Sequence, residues 1–366
     1  MRTNTARLGN ALHSGQASVP IVRRRRTWYL ISVVVVILLG AIAMLRGPNL
    51  GIEFTGGSEF QVSGVSSAQE SQARDIVRQT VPDNEPKVTM IGGSTVRVQT
   101  AQLDTAQTQH VAGDLAKAYG VHADDVSTSF IGPVWGSDIT SKMARGVVVF
   151  IALVAAVMAL YFRNLKVSLA AMITLVHDMA FTAAVYGVVG FEITPATVIG
   201  FLTILGYSLY DTIVVFDKVR ENTAHLRDQT RTTYAEAVEL AANQTLMRSL
   251  NTSIVALLPV GSILAIGAFV LGAGTLKDIS LALFIGIFVG TYSSVFLAPG
   301  LVVTLRGGEK DLAAHRDRVL AARGGAEYRR PTEGAGAPGA ADPAESDAAS
   351  VAATAAGADT PVRRRR

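Results

Sequence analysis

The sequence predicts an α-helical polytopic membrane protein: six transmembrane helices, with a small α+β domain held outside the membrane between the first and the second. Three observations lead there. Charged residues make up 17% of the 366-residue chain against 49% hydrophobic, whereas a soluble domain carries about 25% charged residues. The apolar residues collect in six runs, each near the ~20 residues that a helix needs to cross a bilayer. Lys and Arg fall between those runs in a consistent two-sided pattern. An ordinary soluble enzyme, a disordered chain and a disulfide scaffold are thereby excluded. The chain has no cysteine, which also removes thiolate chemistry, Cys-ligated zinc and iron–sulfur clusters.

Residues 1–26 form a basic N-terminus closed by Arg23, Arg24, Arg25 and Arg26. The first span is 27–45. It is long enough to cross, and no small-residue cleavage site follows it, so it reads as a membrane helix rather than a cleaved signal. Spans two to six occupy 146–305: Gly146 to Phe162, Val167 to Phe191, Ile193 to Phe216, Ser249 to Leu276 and Ile279 to Leu305. The last two are generous, so a connection is expected around Ala273 to Asp278. Arg163, Lys166, Lys218, Arg220, Arg227 and Arg231 share a side with the N-terminal arginines. The positive-inside rule makes that side cytoplasmic, with both termini inside and residues 46–142 extracytoplasmic in the cell membrane. The tail, 306–366, is rich in Ala, Gly and Pro and is expected to be disordered apart from a juxtamembrane helix over Asp311 to Arg323. Its closing arginines, Arg363 to Arg366, read as a solvated tail, with contact to anionic lipid or ribosomal RNA as the alternative.

Within 46–142, Glu59 to Ser63 alternates as a strand. Ser67-Ala68-Gln69-Glu70 reads as a capping box opening a helix that runs to about Thr80. Pro82 to Pro86 breaks it, Lys87 to Ile91 and Thr95 to Gln99 form a hairpin, Asp104 caps a second helix ending at Gly120, and Val126 to Ile131 is the last strand. The order βαββαβ is the split βαβ pattern of ferredoxin-like domains. The segment Gly51 to Gly57 is expected to be exposed and able to hinge this domain against the first span. No catalytic constellation is visible, and His110 and His122 lie too far apart for a metal site.

A charge at mid-membrane costs about 2.5–3.5 kcal/mol on insertion scales, so ionisable residues there are functional candidates. Asp178, beside His177, falls in span three, Asp211 in span four, and Arg248 opens span five. Thr203, Tyr207 and Asp211 share one helical face, as do Thr245, Arg248 and Thr252. Adjacent residues point about 100° apart, so His177 and Asp178 are not expected to line one site. The plain alternatives are a static Asp211–Arg248 ion pair, a structural hydrogen bond for Asp178, and an Arg248 that snorkels to phosphate. Gly286-x-x-x-Gly290 with Ser294 is a small-residue packing stripe.

Several motifs together resemble the SecD/SecF family of the RND superfamily, accessory membrane proteins of the bacterial Sec protein-export machinery. They are Gly51-Ile52-Glu53-Phe54-Thr55-Gly56-Gly57, Gly132-Pro133-Val134-Trp135-Gly136, His177-Asp178, the run from Gly206 to Asn222 around Asp211, Asn243 to Ser253 around Arg248, and Leu276-Lys277-Asp278. The family usually has Asp where Glu53 stands and Asn where Tyr210 stands. The resemblance implies an RND-type half: six spans facing six from SecD. It further implies association with the SecYEG channel, work alongside SecA on preproteins, and export driven by the proton gradient. Carried over by position, Asp211 and Arg248 become proton-path residues, with Asp178 a further candidate. It implies no enzymatic activity, no metal and no cofactor. The partners expected are SecD, SecYEG, SecA, preproteins and membrane lipid, with no nucleic acid. No G-x-x-x-x-G-K-[ST] nucleotide loop occurs in the chain. The competing readings are an intramembrane aspartyl protease using Asp211 and Asp178, an RND-type exporter of small solutes or lipid, and a passive translocon scaffold.

Overall fold

Capping residues and glycines punctuate the helices of the computed structural model, which describes residues 2–65, 69–82, 85–91, 94–267 and 274–325. After an N-terminal helix α1 (Arg2–His13) comes the first span, α2 (Arg25–Arg46), and a single turn, α3 (Ile52–Thr55). The external domain follows as β1 (Gly57–Val62), α4 (Glu70–Thr80), β2 (Lys87–Ile91), β3 (Thr95–Thr100), α5 (Thr105–Tyr119) and β4 (Val126–Ile131). The remaining spans are α6 (Pro133–Phe162), α7 (Leu165–Val189), α8 (Pro195–Thr223), α9 (Tyr234–Ala265) and α10 (Gly274–Tyr292). The last of these continues through a π-helical turn, Ser293–Leu297, into α11 (Ala298–Arg306). A short helix α12 (Lys310–Ala322) ends the described chain. Among the described residues six helices are long and apolar enough to cross a membrane, as the sequence predicts.

The starts have local causes. The Asn164 side chain accepts from the Lys166 and Val167 amides and opens α7, and Gly190 closes it in the left-handed region. Thr194 with Thr197, followed by Pro195, opens α8, and Thr233 with Glu236 opens α9. These caps satisfy backbone donors that would otherwise be stranded. Span five departs from expectation: its helix begins at Tyr234, fifteen residues before Ser249, because this cap sits there and the intervening turns bury Val238, Ala241 and Ala242. The connection expected at Ala273 to Asp278 is also displaced, since Gly274 onward is already helical. Ala273 itself lies outside the described residues.

The external sheet has the order β2-β3-β1-β4, antiparallel throughout, with Phe60 paired to Val98 and to Thr128. This is the split βαβ arrangement. Phe60, Val62, Val96, Val98, Val77, Val111 and Leu115 form its core beneath α4 and α5. Asp104 and Gln107 make the capping box of α5, and Gly120 ends that helix at φ 68°. The start of α4 differs from expectation: Gln69 occupies its N-cap without a side-chain bond, and Ser67 lies outside the described residues.

The segment after α2 is not the exposed hinge expected. Gly51, Ile52 and Gly57 are buried. The Gly51 amide donates to the Ile193 carbonyl at 2.9 Å, and the Ile193 amide to the Asn49 carbonyl at 2.7 Å. A Cβ on Gly56, at φ 74°, would come within 3.0 Å of the Pro133 backbone, and one on Gly136 within 2.7 Å of the Phe54 carbonyl. Two glycine motifs distant in sequence thus interlock, and the close backbone approach is the reason glycine stands at both. The segment is a packed joint.

Inside the bundle, Gly200 faces Ala282, Gly286 faces Ile204 and Gly290 faces Ser208. The small-residue stripe of α10 therefore runs along α8, the geometry that brings helix backbones close where lipid gives no hydrophobic drive. Large side chains such as Leu30, Ile37, Val148 and Leu160 stay exposed on the outside of α2 and α6, as a lipid-facing surface requires. The basic N-terminus, read as a mere flank, contains α1. Leu12 and Ile21 pack against Ala242 and Leu246 of α9, and the Asn243 side chain accepts the Val19 amide at 2.7 Å.

Candidate functional site: buried carboxylates of the bundle

Asp211 lies on α8, 6% exposed, where α8, α9 and the π-helical turn meet. Ser249 Oγ donates to its Oδ1 at 2.7 Å and Ser294 Oγ to its Oδ2 at 2.5 Å. Both serines are completely buried. π-turns recur at functional positions because they re-aim side chains locally, and this one carries Ser294. Three residues before Asp211 on the same helix, Ser208 Oγ donates to Asp178 Oδ2 of α7 at 2.5 Å. Each intramembrane carboxyl group is thus held by its own buried serine hydroxyls, Asp178 by Ser208 of α8 and Asp211 by Ser249 of α9 and Ser294 of the π-helical turn.

The expected Asp211–Arg248 pair does not form. Arg248 is exposed, and its Nη2 lies 3.4 Å from the Tyr210 hydroxyl, itself on the outer surface. The cause is helical phase. Thr245, Ser249 and Ser253 form the buried row of α9, and Arg248 is about 100° away from Ser249 around the helix. The expectation for His177 and Asp178 is corrected in the other direction. His177 Nδ1 reaches back to Asp178 Oδ1 at 3.1 Å, because the flexible imidazole arm spans the angle between neighbouring residues. Sequence reading placed Ser294 in a packing stripe rather than beside Asp211, and did not single out Ser249 or Ser208. The i, i+4 repeat of Ser249 and Ser253, and the serine three residues before Asp211, were the available signals.

A second polar cluster joins the external domain to the bundle. Arg97 of β3 lies 3.4 Å from Glu59 Oε1 and 3.1 Å from Glu192 Oε2, at the loop between α7 and α8. Gln99 Nε2 donates to Glu59 Oε2 at 3.0 Å and to Glu192 Oε1 at 2.5 Å. Burial pushes the Glu53 carboxyl above its usual range, helped by nearby Glu192 and Glu59, and among the described residues its Oε2 has no hydrogen-bond partner. Burial likewise lowers the Lys87 ammonium. Asp278, expected in an outer turn, is instead buried just past the first turn of α10 and accepts from Thr194 Oγ1 at 3.0 Å. A carboxylate set at the start of α8 is favoured by the positive end of that helix. Among the described residues no cluster of His, Cys, Asp and Glu could hold a metal ion.

Buried carboxyl groups in a helical bundle, with an α+β domain locked to its outer face, define a multi-pass membrane protein. The family model described as protein export membrane protein SecD/SecF, C-terminal, matches residues 111–308, and the SecD/SecF GG motif matches residues 44–64. The chain belongs to the SecD/SecF family. It is 42% identical over 346 residues to the protein translocase subunit SecF of Streptomyces coelicolor, covering 94% of this chain and 92% of that one. Against the SecF of Mycobacterium tuberculosis the identity is 39% over 322 residues, covering 85% of this chain and 72% of the relative. The crystal structure of SecDF from Thermus thermophilus, a translocon-associated membrane protein, superposes with a TM-score of 0.71 at 28% identity. The match covers 80% of this chain and 39% of the longer one.

Proposed function

We propose that this chain is the accessory subunit of the Sec protein translocase that, together with SecD, uses the proton gradient to promote protein export, with Asp211 as its proton-accepting group. One observation carries the reading: Asp211 is buried between two serine hydroxyls and, among the described residues, forms no ion pair. A hydroxyl both donates and accepts. Ser249 and Ser294 can therefore serve the carboxylate and the carboxylic acid alike, and a proton can come and go without breaking an ion pair. Asp178, held by Ser208 one turn before Asp211 on α8, is the second carboxyl. Arg248 and Tyr210 stand on the outer surface of α8 and α9, a position suited to pairing with a carboxylate of the partner half.

SecD is the partner supported best, because a relative named SecDF is 30% identical over 75% of this chain while the chain spans 36% of it, leaving room for a second half in one polypeptide. SecYEG, SecA and preproteins enter as functional partners of that assembly. The loop arginines favour both termini on the cytoplasmic side. One charge moved through ~200 mV is worth about 4.6 kcal/mol, against about 5.5 kcal/mol for a complete two-state swing, so more than one proton or a partial swing is needed per stroke.

Preprotein export into inverted vesicles, with and without an uncoupler, tests this. Asp211→Asn should insert, bind SecD and lose the uncoupler-sensitive part of export while SecA-driven threading persists. Retention of wild-type gradient stimulation would overturn the assignment of Asp211.

A further inference from the structure

We propose that the cleft between α2, α9, α11 and α12, on the bundle face opposite the external domain, binds the headgroup of an anionic phospholipid. The cleft encloses about 710 Å³ and is lined by three arginines, Arg25, Arg26 and Arg316, with no carboxylate among its lining residues. Arg25 and Arg26 open the first span. One turn further on, the Tyr29 hydroxyl bonds Thr304 Oγ1 at 3.0 Å, so the polar level of the cleft lies at the end of two membrane helices. Leu312 and Val303, both buried, supply an apolar floor.

The charges are available. Arg25 spends one nitrogen on the Val22 carbonyl at 3.3 Å. Among the described residues, Arg316 pairs with its neighbour Asp317, at 3.3 Å on the surface, an exposed pair worth little and easily exchanged. Arg306, behind the Tyr234 ring, pairs with Glu309 at 3.3 Å, which also faces Lys166 at 3.4 Å. Guanidinium groups hold phosphate oxygens in pairs, and basic pockets between membrane helices suit anionic headgroups. A diffusible anion has no use for the apolar floor or for an opening at the membrane surface.

The test uses the full chain in detergent, challenged with phosphatidylglycerol, phosphatidylcholine or soluble glycerol 3-phosphate, with bound lipid counted by native mass spectrometry. Phosphatidylglycerol should be retained about tenfold better than phosphatidylcholine, and the paired change Arg25→Gln with Arg26→Gln should remove most of that preference. Those two arginines also help set topology, so Arg316→Gln, on an exposed turn, provides an independent reading and should lower retention several-fold. Arg318→Gln, exposed on the same helix outside the cleft, should leave retention unchanged. Equal retention of both lipids, undiminished retention in Arg316→Gln, or an equal loss in Arg318→Gln would overturn the site. Displacement of phosphatidylglycerol by an equal concentration of glycerol 3-phosphate would show a free-phosphate site and overturn the lipid assignment.

Discussion

Gly286→Ala should disable the carboxyl site from two helical turns away. A Cβ at position 286 would lie 2.5 Å from Ile204 Cγ2 and 2.6 Å from Ile204 Cγ1. Carbon atoms rest at about 3.5–4.0 Å, so α8 and α10 must part by roughly 1 Å. The β-branched Ile204 has little rotamer freedom in a helix with which to retreat. The same helix pair carries Asp211 and, through the π-turn, Ser294, whose oxygens are 2.5 Å apart. Parting by ~1 Å stretches that contact to about 3.5 Å, the edge of a hydrogen bond. Overpacking of this kind costs about 1–3 kcal/mol. The variant should therefore melt earlier in detergent and lose the uncoupler-sensitive part of export. Ile204→Ala in the same chain removes the clashing carbons and should restore part of both, as a coupled pair does in a double-mutant cycle. Wild-type melting and wild-type gradient stimulation in Gly286→Ala would refute the reasoning, because the helices would then have slack to accept a methyl group without disturbing Asp211.

The joint between domain and bundle should respond to pH. The folded protein holds the Glu53 proton more tightly than the unfolded chain, whose ordinary value is 4.5. Its contribution to stability is therefore fully present below about pH 4.5 and lost as pH rises through the shifted value. Glu192, Glu59 and Arg97 face the same carboxyl, so the comparison is Glu53→Gln against wild type: the variant should show a flatter melting profile above pH ~4.5. An unchanged slope would mean that other groups set it. In the external domain, Asp104→Ala removes the acceptor of the Gln107 amide, a 2.7 Å bond, and should cost about 1 kcal/mol of stability, read by thermal melting. Proteolysis should then cut first in α5.

The family resemblance, six spans and the order of the external domain were legible in the sequence because each rests on local information. A run of apolar residues is long enough to cross or it is not. Asp104 and Gly120 mark their helix ends through backbone geometry reaching three or four residues. The glycine stripe of α10 was visible for the same reason. Ser67, expected as a cap, lies outside the described residues, in which α4 runs from Glu70.

What only the tertiary structure decided is which face each helix turns inward. Sequence spacing grouped Thr245 with Arg248 and Thr252, and the family resemblance set Arg248 beside Asp211. In the bundle the rotation of α9 puts Ser249 against Asp211 and leaves Arg248 outside. A single residue changes the direction of a side chain by about 100°, and near this level α9 carries polar residues on both faces, Thr245, Ser249 and Ser253 buried, Arg248 and Asn251 exposed, so its own pattern does not set its phase. The meeting of Gly56 with Pro133, and of Arg97 with Glu192, likewise joins segments far apart in the chain. Composition determines that these charges must find partners when buried, but the partner is chosen by packing, where close approach of whole helices outweighs the preference of any one residue.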